Sequence, residues 1–177
     1  MAAIEAIKTT RLESWVSSIT LSSIPSSYEH LELRVSAAGN RASYASDIAY
    51  LRFNSSTTSY TDQAMLGSAP NSEICFAQSS RSRMDLYRLG TIGVGKRIPY
   101  GALIIQIRDY ANTSKNTTVV AFGGTSAVDN TSNDRQVSVC GGAWHQTTAI
   151  SSIEFGDVNG TYLMTGSVVS LYGIRSS

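Results

Sequence analysis

The chain has 177 residues and a formal net charge of +1 at pH 7, which fits one domain and gives no broad attraction to phosphate backbones or anionic membranes. Charged residues make up 15 % of it, well below the ~25 % of ordinary domains. Ser and Thr fill the difference, so solubility rests on hydroxyls and amides, a surface that suits strands and tolerates protein contact. No run of 18 apolar residues occurs, and Glu5 interrupts the only apolar cluster near the start. The expectation is a chain with neither a cleaved leader nor a membrane span.

Residues 1–10 read as a short arm, frayed or docked on a neighbour through Ile4 and Ile7, ahead of a domain over 11–177. Glu13–Leu21 predicts a first strand anchored by Trp15, and Ile24–Ser27 a proline turn. Tyr28–Ala37 alternates cleanly. Leu31, Leu33, Val35 and Ala37 share one face, and His30, Glu32, Arg34 and Ser36 share a wet one. Asp47–Asn54 predicts another strand and Tyr60–Leu66 a short one. The pattern fades between Gly67 and Ser82, which predicts an irregular excursion, and Met84–Ile92 resumes as a strand.

Gly101–Tyr110 is the centre of the reading. Leu103, Ile105 and Ile107 point one way, Ala102 and Ile104 the other, so the run predicts a strand covered on both faces. Thr117–Phe122, Gln136–Cys140, Ala149–Phe155 and Gly166–Ile174 follow as strands, with Gly141-Gly142 as a bend or bulge and Asp129–Asp134 as a loop tip. The sum is about eight to ten short strands and no long helix, hence an all-β, single-domain β-sandwich of jelly-roll type.

Chemical motifs fail on inspection. Gly90–Lys96 satisfies G-x-x-x-x-G-K, yet Arg97 replaces the magnesium-binding hydroxyl and Pro99 bars the helix that a phosphate loop needs. His30 and His145 are the only histidines, and no G-x-S-x-G elbow is present. The acceptor sequons at Asn54, Asn112, Asn116, Asn130 and Asn159 follow from a composition rich in Asn, Ser and Thr. Asp129 with Asp134, or Glu154 with Asp157, are acidic pairs that solvated turns explain more plainly than a calcium ion. Cys75 and Cys140 read as small buried or half-buried thiols. Trp15 and Trp144 read as core anchors, and Tyr44, Tyr60 and Tyr162 as glycan or interface candidates. Basic residues without interleaved aromatics exclude a nucleic-acid groove; Arg81, Arg83 and Arg88 form the tightest cluster, a solvated loop or a contact for an acidic partner. No catalytic residue, cofactor or metal is expected.

Three stretches carry a resemblance: Ile19–Arg34 (ITLSSIPSSYEHLELR), Ile105–Tyr110 (IQIRDY) and Gly166–Ile174 (GSVVSLYGI), with Gly142–Ile153 between them. Together they resemble small virion structural proteins of tailed bacteriophages, common in aquatic phages such as cyanophages; residues 67–99 do not share the pattern. The resemblance implies a β-sandwich that oligomerises, typically as trimers, on a capsid surface or in a tail appendage. It implies partners in copies of itself and in a major capsid or tail/baseplate protein, and a place in the virion. The function expected is a capsid decoration (cement) protein and not an enzyme; the alternative is a tail-fibre or receptor-binding tip contacting a host glycan. Assembly contacts are expected at Ile4, Ile7, Arg81, Arg83 and Tyr60.

Overall fold

In the computed structural model the described residues are 3–41, 46–68, 72–91, 100–126 and 135–175. Among them are twelve strands and no helix. In chain order these are β1 (Ala3–Arg11), β2 (Ser18–Leu21), β3 (His30–Gly39), β4 (Ser46–Phe53), β5 (Tyr60–Ser68) and β6 (Ser72–Arg81). There follow β7 (Met84–Thr91), β8 (Gly101–Arg108), β9 (Thr117–Ser126), β10 (Arg135–Trp144), β11 (Ile153–Asp157) and β12 (Val168–Arg175).

Eight strands form one sheet, ordered β1-β12-β3-β8-β9-β10-β5-β6, and four form the other, ordered β2-β11-β4-β7. The pairings are antiparallel except where Ala38 and Gly39, at the end of β3, run parallel to Gly90 and Thr91 of β7. The sheets pack face to face as a β-sandwich. Period-two alternation delivers the core: Leu31, Leu33 and Val35 of β3 pair with Ile107, Ile105 and Leu103 of β8, all buried. Leu51 and Phe53 of β4 and Met84 and Leu86 of β7 complete the same cluster from the other sheet.

Several expectations need correction. The stretch read as an arm is, from Ala3, a strand paired along its length with β12 of its own chain; Ile7 packs against the core and Ile4 stays exposed. The excursion expected over Gly67–Ser82 contains β6, ten residues long, bonded to β5 at the sheet edge. Its alternation is blurred because an edge strand is only partly covered on its inner face: Ile74 remains exposed there while Phe76 packs edge-on to Tyr87. Gly141-Gly142 is no bend but lies in regular register between β9 and β5. Glycine is required at 142 because an added Cβ would stand 2.3 Å from the Thr61 carbonyl oxygen and 2.9 Å from the Met84 methyl. Trp15 is 51 % exposed and anchors nothing, since only Ser18–Leu21 of its stretch enters a sheet. Cys75 is exposed, while Cys140 is buried as expected.

Candidate functional site

The outer face of the eight-stranded sheet divides into two unlike halves. Over β1, β12 and β3 it is polar: Thr9 donates to Ser170 at 3.0 Å, Arg34 pairs with Glu32 at 2.9 Å, and the Arg34 guanidinium lies over the Tyr172 ring. From β8 to β6 it is apolar. Register aligns one outward residue per strand, so Ile104, Phe122, Val139, Met65 and Cys75 form a row straight across five strands. The row on one side is Ala102, Gly124, Val137, Gly67 and Glu73; on the other it is Gln106, Val120, Gly141, Gln63 and Ala77.

Phe122 is 50 % exposed, Met65 57 % and Val137 65 %. Single exposed apolar side chains are ordinary, but a contiguous sheet of them marks a contact surface. Among the described residues Glu73 is the one charge in these three rows. The expectation that β8 is covered on both faces is therefore met on one face only: Ile104 is 46 % exposed.

A second feature lies where the ends of β3, β4 and β11 converge. Asp47 and Asp157 are both buried, and their Oδ2 atoms stand 3.1 and 3.2 Å from the point a Cβ on Gly39 would occupy. Glycine at 39 lets both carboxylates close against β3. Asp157 begins the sequence Asp-Val-Asn-Gly-Thr; its Oδ1 accepts the Asn159 N–H at 2.8 Å and the Thr161 N–H at 3.4 Å. The side chains of Asn159 and Thr161 turn to Asp47, Asn159 Nδ2 donating to Oδ1 and Thr161 Oγ1 to Oδ2.

Arg41 lies 3.6 Å from Asp47 Oδ1. Burial, then repulsion from Asp157 and hydrogen bonding with it, push Asp47 from the ordinary 3.8 up to about 6. The folded chain thus holds a proton here more tightly than the unfolded chain does. The cost of ionising Asp47 stands in full above about pH 6 and is relieved as pH falls towards 3.8. In metal-free buffer, urea unfolding should show this residue adding stability on the order of 1 kcal/mol as pH falls from 7.5 to 5. Asp47→Asn should remove that slope, and an unchanged slope would reject the buried acid pair.

The residues singled out from the sequence are dispersed. Tyr60 is no surface contact: it is fully buried, its hydroxyl accepting the Phe53 N–H at 2.8 Å. Arg81 and Arg83 both hold buried Asp85, at 2.6 and 2.9 Å, so their charge is used within the chain. Glu154 takes the Tyr50 hydroxyl at 2.6 Å and sits by Arg52, away from Asp157; burial, and then the Glu154 carboxylate, push Tyr50 up to about 12. Glu29, His30 and Asp109 come together, yet His30 Nδ1 accepts the Asp109 N–H at 3.0 Å and Lys115 holds the Asp109 carboxylate at 2.6 Å. That lysine keeps Asp109 below its ordinary value. His145 lies by Thr61 and Asn116, and Tyr162 is exposed. Tyr44, Arg97, Pro99, the Asp129–Asp134 tip, and the part of the glycine-rich Gly90–Lys96 run beyond Thr91 lie outside the described residues, as does the side chain of Arg88.

Sequence reading missed both features. The apolar rows need register across five strands, which no local pattern holds. The acid pair joins positions 110 residues apart (157 minus 47); the Asp157, Asn159, Thr161 spacing was its one local signal.

No family model matches the chain, and no curated protein does. Among solved structures, an alginate lyase mutant in complex with an alginate trisaccharide aligns at a TM-score of 0.26 with 10 % identity, over 89 % of this chain and 80 % of that one. A likeness that slight carries no argument about this chain.

Proposed function

We propose that the chain is a structural protein of a tailed-bacteriophage virion, a capsid decoration protein that works as a homo-oligomer on the outer capsid surface and stabilises it. The observation supporting an assembly role is the uncovered apolar half of the large sheet; the phage context rests on the sequence resemblance. Binding to the assembled shell alone stabilises it by mass action.

A second copy is the occupant that fits the apolar face. Let two copies meet face to face about a two-fold axis running along the strands between β9 and β10. β10 then lies over the other copy's β9, β5 over its β8, and β6 over its β3. Phe122 meets Val139, Ile104 meets Met65, and the amides of Gln106 and Gln63 face each other. Val137 stands over the dent at Gly124 and Val120 over that at Gly141. Glu73 comes over Ser36, one row from Arg34, whose guanidinium is already shared with Glu32. Six strands at about 4.8 Å by three rows at about 6.8 Å outline about 600 Å² per copy, about 1,200 Å² in all, the lower bound of stable specific interfaces.

In sedimentation the protein should run at twice its 19.0 kDa chain mass. Phe122→Asp or Val139→Asp, placing charges against the axis, should weaken association about 30-fold or more while leaving the thermal midpoint of the monomer in place. A monomer would remove the self-association, and a trimer would replace this two-fold pairing with the arrangement the resemblance implies. Particles lacking the protein should lose heat and pressure resistance. Equal resistance would end the cement reading, and labelling confined to the tail would favour a receptor-binding tip.

A further inference from the structure

We propose that the point beside Gly39 where Asp47 and Asp157 converge is a divalent-cation site of calcium type, with Asp47, Asp157, Asn159 and Thr161 as its side-chain ligands. This goes beyond the assembly reading and does not depend on it.

Two buried carboxylates converge beside Gly39, and Arg41 brings one positive charge to their two negative ones, at 3.6 Å from Asp47 Oδ1. Asp157 is only 6 % exposed, and no N–H or other fixed donor reaches its Oδ2, so a hydrogen bond between the two acids needs a proton on one of them. An ionised oxygen so buried and unpartnered is costly unless a proton or a cation completes it. Both carboxylate Oδ2 atoms converge beside Gly39, so one ion can bridge them.

The remaining donors are all oxygens within reach. Asn159 now turns its amide nitrogen to Asp47; rotation about the last side-chain torsion presents the amide oxygen instead, at no change in packing. The Thr161 hydroxyl, 3.3 Å from Asp47 Oδ2, offers a lone pair on rotating its proton away. The two Oδ2 atoms, the amide oxygen and the hydroxyl supply four oxygens, which waters would complete to the six or more that calcium takes in a flexible shell, whereas magnesium demands a stricter octahedron. The spacing Asp157, Asn159, Thr161 with Gly160 at φ +72° puts alternate side chains of one turn on one side, while Asp47 closes from β4. A bound ion would tie β4 to β11 at the end of β3.

The test uses the full chain stripped with chelator and titrated with calcium chloride by calorimetry and thermal unfolding. One calcium per chain should bind, and saturation should raise the midpoint by roughly 5–10 °C. Asp157→Asn should abolish both effects, yet raise the metal-free midpoint by relieving the facing charges; Glu154→Gln should bind calcium like the parent. Should Asp157→Asn fail to fold, Asn159→Asp adds a third carboxylate and should tighten calcium at least tenfold. No heat and no shift with millimolar calcium, or affinity unmoved by either variant, would overturn the site and leave a proton shared between two acids. Neither result bears on where the protein sits in a particle.

Discussion

Replacing Trp144 with alanine is expected to cost about 3–5 kcal/mol, seen as a fall of roughly 6–20 °C in the thermal midpoint for a domain of this size. The indole is 3 % exposed and closes an aromatic cluster at the end of β10. It stacks on Tyr60 at 6.1 Å and 19° and tilts against Phe53 at 5.7 Å. Tyr60 in turn holds the Phe53 backbone, so the cluster ties β4 of one sheet to β5 and β10 of the other. Its loss leaves a cavity bounded by two rings that cannot collapse without breaking that hydrogen bond. The indole N–H has no partner, so Trp144→Phe removes an unsatisfied donor along with volume and should cost less than half as much. Trp15→Ala is the control: half exposed, it should shift the midpoint by no more than a surface change does. Equal shifts for the two tryptophans would reject this assignment of the core.

The contrast between the two tryptophans shows what was legible in the chain. Both are large and apolar, and sequence alone makes both anchors; only the one within an alternating strand is. Where alternation is strong, as in Leu31–Ala37, strand and inward face follow from it, because one sheet face must be buried; the pairing of that strand with β8 does not. Where a strand is an edge or its outer face is apolar too, the pattern loses its phase. That is why β6 was read as irregular and why Ile104 was expected to be covered. Long-range pairs were illegible for a different reason. Arg81 and Arg83 look like free charge until Asp85, just beyond them in the chain, is seen to turn inward between them. Asp47 gives no sign of Asp157.

The uncovered face and the acid pocket also lie apart in kind. One is built from side chains whose burial is complete only with another molecule present; the other is closed within the monomer and is short only of charge. Substitutions on the face should therefore change mass and leave the monomer's own stability, and substitutions at the acid pair should change that stability and leave mass, once the part of the midpoint that dimerisation adds by mass action is removed by dilution. A face variant that lowered the stability of the dilute monomer would indicate that the two-sheet body is not rigid between them.

Asp85→Asn should destabilise the chain by about 3 kcal/mol, while Asp62→Asn, in the same cluster, should be neutral or stabilising. Asp85 is buried and accepts from Arg81 at 2.6 Å and Arg83 at 2.9 Å. Removing its charge leaves two guanidinium groups, each about a quarter to a third exposed, without the carboxylate that both of them hold. Breaking a buried pair costs about 3–5 kcal/mol, and their partial exposure to water places the loss at the lower end. Asp62 differs in role. Its Oδ2 accepts the Asp85 N–H at 3.1 Å, but its Oδ1 has no partner, and burial pushes its carboxyl above the ordinary value. An asparagine keeps the accepting oxygen, removes the buried charge and relieves the repulsion from Asp85. Urea midpoints at pH 7 for the two single variants and the double decide the matter. Opposite signs for the singles, with a double that is not their sum, mark one coupled network; equal losses would show Asp62 to be as necessary an anion as Asp85.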